Sequence, residues 1–352
     1  MKYDVIIVGA GPAGIFSALE LTQKNNLKVL MLDRGQDIDR RKCPSSRGFE
    51  CMHCDPCAIL CGWGGAGAFS DGKLTLSTEV GGWLNQYVSN KELSELLSYA
   101  DKVYQKFGAT EHTYGGNTEA IDEIERKASL AGLKLIRQRI RHMGTEWCAQ
   151  TLKKMRQELN GKIEFKPKTD IKGLIVKNDT IEGVETVNGE KFFGKYVIAA
   201  PGRSGAEWLQ TEAQALGLKT LNNPVDIGIR VEVLASVMEE LTKVLYEPKL
   251  IYYSRSFDDQ VRTFCVAPYG QVITESYDGV LTVNGQSYAE RKTDNTNFAI
   301  LVSTSFTEPF KEPIAYGKYV ARLCNLLSGG VIIQRLGDLE SGRRSTPERI
   351  DR

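Results

Sequence analysis

Apolar and polar positions alternate between two periods along this chain. Residues 3–8 are a short apolar run, the residues after 12 have helical spacing, and 29–32 is a second apolar run. The first 33 residues are therefore predicted to form a β-α-β unit. Helical spacing returns at 90–108, 118–131 and 146–159, around a short strand at 133–136, and predicts a helical layer over about 90–160. From 163 the period drops to two. Strands are predicted at 163–165, 171–176, 181–187 and 191–193, with turns at Asn178-Asp179 and Asn188-Gly189, which together make a small antiparallel meander. A buried strand at 196–200 and a helix from about 206 to 216 follow. Beyond Asn222-Asn223-Pro224 the pattern is mostly that of strands, at 227–233, 251–253, 263–267, 272–275, 280–283 and 299–304. The expected organisation is an α/β domain over 1–222, a β-rich domain over 223–335, and a polar tail over 336–352 without a closing strand or helix.

The turn after the first strand carries chemistry. Gly9, Gly11 and Gly14 lie between strand and helix, and Asp33 ends the second strand, nineteen residues beyond Gly14. In that setting Gly9 makes the tight turn, Gly11 lets a pyrophosphate approach the backbone, and Gly14 allows close packing of helix on strand. The phosphates would meet the unpaired N–H groups at the helix start, around Pro12 and Ala13. The Asp33 carboxylate, with Arg34 beside it, is placed for ribose hydroxyls. Ala200, Pro201, Gly202 and Arg203 end another strand facing the same nucleotide, and Ile171 joins them as a candidate contact.

With 352 residues, 41% of them hydrophobic, the chain can bury a sizeable core. Its formal charge is +1, so no global field draws nucleic acid, and no apolar run reaches membrane-span length. The absence of an apolar leader gives a cytoplasmic expectation, in which the eight cysteines would stay reduced.

Strand, glycine turn, terminal acid, meander and the Ala-Pro-Gly-Arg strand end resemble the two-dinucleotide-binding-domain flavoproteins. Within them, Gly62-Trp63-Gly64-Gly65-Ala66-Gly67-Ala68-Phe69-Ser70-Asp71-Gly72-Lys73-Leu74 resembles the signature of the uncharacterised FAD-dependent, or NAD(FAD)-utilising, dehydrogenases. The stretches His142-Met143-Gly144-Thr145, Thr263 to Gly270 and Val283 to Tyr288 agree with it. The resemblance implies a Rossmann-like FAD domain with a β-rich substrate domain, and a FAD-dependent oxidoreductase acting on a small molecule, with NAD(P)H as a donor. It also implies that Gly64, Gly65, Ser70, Asp71, Gly72 and Lys73 run beside the flavin, with Lys73 tuning the reduced ring and His142 facing substrate. Arg230, Tyr269, Tyr288 and Arg291 are candidates for the substrate pocket. An ene-reductase or monooxygenase, or a nucleotide-binding scaffold without turnover, are the rival readings. Gly337-Asp338 matches two letters of the family's closing motif, but its surroundings do not, so the C-terminal part of the family fold is expected to be missing.

Cys51, Cys54, Cys57 and Cys61 have the C-x2-C-x2-C-x3-C spacing of bacterial ferredoxins, with Gly62 in place of the usual proline. Such a run can hold a [4Fe-4S] cluster or zinc, can act as a redox dithiol, or can be plain thiols. A cluster here would lead directly into the glycine-rich loop.

Overall fold

A computed structural model of the chain describes residues 2–24, 26–44, 51–116, 118–277, 279–288, 290–306 and 312–351. Strand β1 (Lys2–Val8), helix Pro12–Lys24 and β2 (Val29–Leu32) form the expected β-α-β unit. β1 pairs in parallel with β2 and with β9 (Lys191–Ala199), and β2 pairs in parallel with β6 (Glu164–Lys166). Strands β7 (Ile171–Lys177) and β8 (Thr180–Thr186) complete a six-stranded sheet of order β6-β2-β1-β9-β8-β7. The meander is thus an antiparallel extension of the parallel sheet rather than a separate unit. The strands expected at 191–193 and 196–200 are one nine-residue strand, because β9 serves both the meander and the parallel core.

Both faces of this sheet are covered. Val5, Ile7, Val29 and Met31 pack with Ile15, Ala18, Leu19, Leu152 and Met155 on one side. Ile6, Val8, Leu30 and Leu32 pack with Ile171 and Val184 on the other. This is why the strands read as continuous apolar runs, as parallel strands buried on both faces do. Helices occur where the spacing predicts them, at Asn90–Lys106, Thr118–Leu130 and Gly144–Glu158, the second packing with Leu135 and Leu245 rather than on this sheet. The first of these starts with a capping box, in which Ser89 and Glu92 satisfy each other's backbone N–H groups.

The second half contains a five-stranded antiparallel sheet of order β10-β15-β12-β11-β4: β10 is Val225–Leu234, β11 Lys249–Tyr253, β12 Gln260–Ala267 and β15 Asn295–Thr304. Its edge, β4 (Lys134–Ile136), comes from the first half and pairs with β11. A ribbon of β3 (Lys73–Thr75) and β5 (Ile140–His142) and a hairpin of β13 (Gln271–Tyr277) and β14 (Val280–Gln286) complete the strands among the described residues. The α/β class, with a parallel Rossmann-like sheet, a meander and β-rich structure after it, is the one the sequence predicts.

Among the described residues, four helices depart from the expected pattern. Ala235–Leu245 and Pro313–Ser328 lie within the strand region, the latter opened by Pro313 and ended at Gly329, φ +70°. The tail is not without structure: Leu336–Glu340 and Pro347–Ile350 are short helices. Asp338, in the first of these, is buried, accepting from the Ser345 hydroxyl at 2.9 Å and pairing with Arg343 and Arg349. Its carboxylate therefore ties the tail together and does not face the nucleotide cleft. Among the described residues no helix is long and apolar enough to cross a membrane.

Candidate functional site

A cleft of about 440 Å³ opens where β1, β2 and β9 end. The glycine turn forms its floor. Gly9 has φ +104°, and a Cβ there would lie 2.1 Å from the Ala200 carbonyl oxygen, so only glycine lets β1 and β9 approach this closely. A Cβ on Gly14 would lie 2.0 Å from the Gly9 carbonyl, which fixes the helix against the turn. Gly11 differs. Its nearest neighbour to an added Cβ is Gly65 Cα at 3.9 Å, and the position borders the cleft, as a phosphate-approach glycine must.

Of the predicted contacts, Gly9, Gly11 and Pro12 line the floor, and Asp33 and Arg34 one wall. Ile171, Ala200, Pro201, Gly202 and Arg203 line the opposite side, with Gly65 from the glycine-rich loop. Ala13 and Gly14 lie just behind, in the first helical turn. Asp33 has a second task that its position alone does not reveal. Its two oxygens accept from the Ala10 N–H at 2.8 Å and the Gly35 N–H at 2.7 Å, locking the end of β2 to the glycine turn. Each carboxylate oxygen keeps a further lone pair for a ribose hydroxyl. Sequence reasoning missed Ser204, Thr169 and Asp170 as lining residues, since nothing local marks them, and Cys61, marked there by the cysteine spacing, lines the cleft as well.

The glycine-rich loop is stitched along this turn. The Gly64 N–H donates to the Ala10 carbonyl at 2.8 Å and the Trp63 N–H to the Gln36 carbonyl at 3.0 Å. Trp63 is fully buried, with its indole N–H on the Leu152 carbonyl at 2.9 Å. Behind the loop lies Arg41, also unmarked in the sequence. Its guanidinium donates to the carbonyls of Ala58, Ile59, Trp63 and Gly65 at 2.6 to 3.0 Å and lies 4.8 Å from the Phe69 ring centre. Burial pulls its pKa down to about 10, so it remains a cation at neutral pH.

Gly64, Ser70, Asp71, Gly72, Lys73 and His142 do not line the cleft. Gly64 packs against Leu152 and Ala68, and the others belong to or border a buried polar cluster where the loop meets the second sheet. The Lys73 ammonium donates to Glu247 and, at 3.0 Å, to the Val266 carbonyl. Asp71 Oδ2 lies 3.1 Å away in ionic contact, without the alignment of a hydrogen bond. Burial disfavours the Lys73 charge, but Asp71 and Glu247 outweigh it and raise its pKa. The geometry gives Lys73 the job of a brace between the loop, the segment before β11 and β12, rather than of a cation free to face a flavin.

His142 pairs with Lys73 across the β3-β5 ribbon. Its Nε2 lies 2.6 Å from the Tyr246 hydroxyl and 3.2 Å from that of Ser287, which are themselves 2.8 Å apart. The His142 and Tyr246 rings stack at 4.1 Å. Burial lowers the His142 pKa from 6.5 to about 4, so it is neutral at physiological pH, and burial raises that of Tyr246. The unfolded chain takes up this proton near 6.5 and the folded chain only near 4. Stability should therefore fall as pH drops through that window, by on the order of 2 to 3 kcal/mol from this group. Urea midpoints at pH 7 and pH 5 for the protein and for His142→Gln test this, and the variant should show the smaller loss.

The cysteine run does not gather as its spacing suggests. Cys54 is exposed, Cys51 and Cys57 are half-buried, and Cys61 is buried with its thiol 3.4 Å from the Ser204 hydroxyl. Cys57 and Cys61 bound a tight turn, the Cys61 N–H donating to the Cys57 carbonyl at 2.9 Å, and Cys61 lines the cleft. Among the described residues no group of three or more His, Cys, Asp or Glu side chains is placed to hold a metal. The arrangement of the described residues therefore gives no support to the expected cluster or zinc site at Cys51, Cys54, Cys57 and Cys61.

Residues 224–346 match the family described as FAD-dependent protein, C-terminal domain-like. An uncharacterized protein of Clostridium beijerinckii is 29% identical over 375 residues, covering 98% of this chain and 61% of its own length. An uncharacterized protein of Methanosarcina barkeri is 33% identical over 128 residues, 36% of this chain and 24% of its own. This chain thus spans about three fifths of the first relative. Among solved structures, L-amino acid deaminase from Proteus vulgaris is 13% identical with a TM-score of 0.43, covering 95% of this chain and 68% of that one. Glycine oxidase from Geobacillus kaustophilus, also 13% identical, has a TM-score of 0.41 and covers 98% and 81%. These likenesses are too distant for either enzyme's chemistry to bear on this chain.

Proposed function

We propose that the protein is a FAD-dependent oxidoreductase whose dinucleotide lies in the cleft at the ends of β1, β2 and β9. The observation that carries this reading is the open approach at Gly11 in a turn otherwise closed by Gly9 and Gly14, with Asp33 at the adjoining strand end. The residues fit the group. The cleft volume is in the range of cofactor sites, the first-turn N–H groups of helix Pro12–Lys24 have no partner within the helix, and the C-terminal family match names the same cofactor.

When bound, FAD supplies the hydride or electron transfer, and the protein supplies position, electrostatics and exclusion of water. Gly9, Gly11 and Gly14 would hold the turn against the pyrophosphate, Asp33 would accept from the ribose, and Ala200 to Arg203 would close the far side. Neutral His142, Tyr246 and Ser287 form a set of exchangeable protons beneath the glycine-rich loop. Within this class the reading is a dehydrogenase that passes a hydride or electron pair to or from a small molecule, with NAD(P)H as donor. The loop from Gly62 to Leu74 supports it.

The test is a spectrum of the purified protein, recorded without oxygen. A yellow chromophore that NADH, NADPH or dithionite bleaches is the expected result. Bound nucleotide that undergoes no redox change would favour a scaffold without turnover.

A further inference from the structure

The Arg41 cation is unusual in its partners. It is 4% exposed, and every hydrogen bond it makes is to a main-chain carbonyl. Among the described residues it forms no ion pair. Asp33 attracts it without touching it, since that carboxylate is held on the N–H groups of Ala10 and Gly35. A buried charge normally has an acid against it, because desolvation is otherwise poorly offset. The location supplies the missing counterpart. Arg41 donates to the Gly65 carbonyl at 2.8 Å, Gly65 lines the cleft, and a Cβ built on Gly65 would lie 3.1 Å from Gly11 Cα, the point where a pyrophosphate approaches. The Arg41 side chain also passes directly behind Gly62, where an added Cβ would lie 2.9 Å from its Cδ.

We propose that Arg41 is a positioning residue whose buried, carbonyl-bound charge favours an anionic pyrophosphate at the Gly65 and Gly11 wall of the cleft. The inference rests on the dinucleotide reading above. The four carbonyl bonds fix the cation in place, so it needs no rearrangement when the anion arrives, and the protein wall separates it from water. For unit charges on the order of 10 Å apart at an effective dielectric near 20, the attraction is worth about tenfold or more in affinity for each phosphate charge.

The experiment compares binding of ADP and of adenosine, which lacks the phosphates, to the protein, Arg41→Lys and Arg41→Gln. Arg41→Gln should weaken ADP about tenfold or more and leave adenosine unchanged, while Arg41→Lys keeps the preference for ADP. A purely architectural role predicts instead that both variants lose ADP and adenosine in equal proportion, and that result overturns the proposal. So does an Arg41→Gln protein that retains the full preference. Should that variant fail to fold, the unmodified protein decides. A buried charge is weakly screened, so the preference for ADP should survive about 0.5 M NaCl, and a preference that vanishes there belongs to exposed cations such as Arg203. Unmodified protein that binds neither ligand would overturn the dinucleotide reading itself, and this proposal with it.

Discussion

Gly9→Ala should destabilise the protein by about 3 kcal/mol or more, whereas Gly11→Val, two positions away, should leave its stability nearly unchanged. The two glycines differ in what surrounds them. An alanine Cβ at position 9 would meet the Ala200 carbonyl at 2.1 Å and sit on backbone with φ +104°. Relief requires the ends of β1 and β9 to separate, where the Ala200 N–H now donates to the Val8 carbonyl at 2.8 Å. At position 11 the nearest atom to an added Cβ is 3.9 Å away, so the branched side chain projects into the cleft without disturbing packing. Gly11→Val should therefore fold and fail to hold dinucleotide. Chemical unfolding of both variants checks the first half, and equal stabilities would contradict it.

Lys73→Met should cost on the order of 3 to 5 kcal/mol at pH 7, because it leaves the Asp71 and Glu247 carboxylates buried against each other's field without their cation. The loss has a signature in pH. Carboxylates stranded in this way are best tolerated protonated, so the deficit of the variant relative to the unmodified protein at the same pH should shrink as pH falls toward 5. Glu247→Gln leaves one carboxylate on Lys73 and should be milder. Urea midpoints at pH 7 and pH 5 separate the two. A Lys73→Met protein of ordinary stability, or one whose deficit does not shrink at lower pH, would show that the cluster is not a charged brace.

The legible parts of the fold are the local ones. Strand, glycine turn, helix, strand and Asp33 are consecutive in the chain, and each glycine's task follows from backbone geometry within a few residues. The site beyond them is made by distant pairings. β4 leaves the helical layer to pair with β11 in the other sheet, which short-range periodicity does not encode. Arg41 sits in a run of basic residues, Arg40-Arg41-Lys42, and reads as solvated surface until the loop from Ala58 to Gly65 wraps it. Lys73 has the opposite history. Its place beside the glycine-rich loop suggests an open cation, and only the approach of Glu247 and Val266 shows that it is occupied. The cysteine run shows a related limit, since spacing constrains how far ligands are apart along the chain but not which way the intervening turn sends them.

The measurement that bears most directly on the account is a titration of the protein and of Gly11→Val with FAD, read by calorimetry and by flavin fluorescence. The account predicts saturation at about one FAD per chain for the protein, and no binding by Gly11→Val of matched stability. Equal binding by both, or none by the protein, would contradict the assignment of this cleft to the dinucleotide.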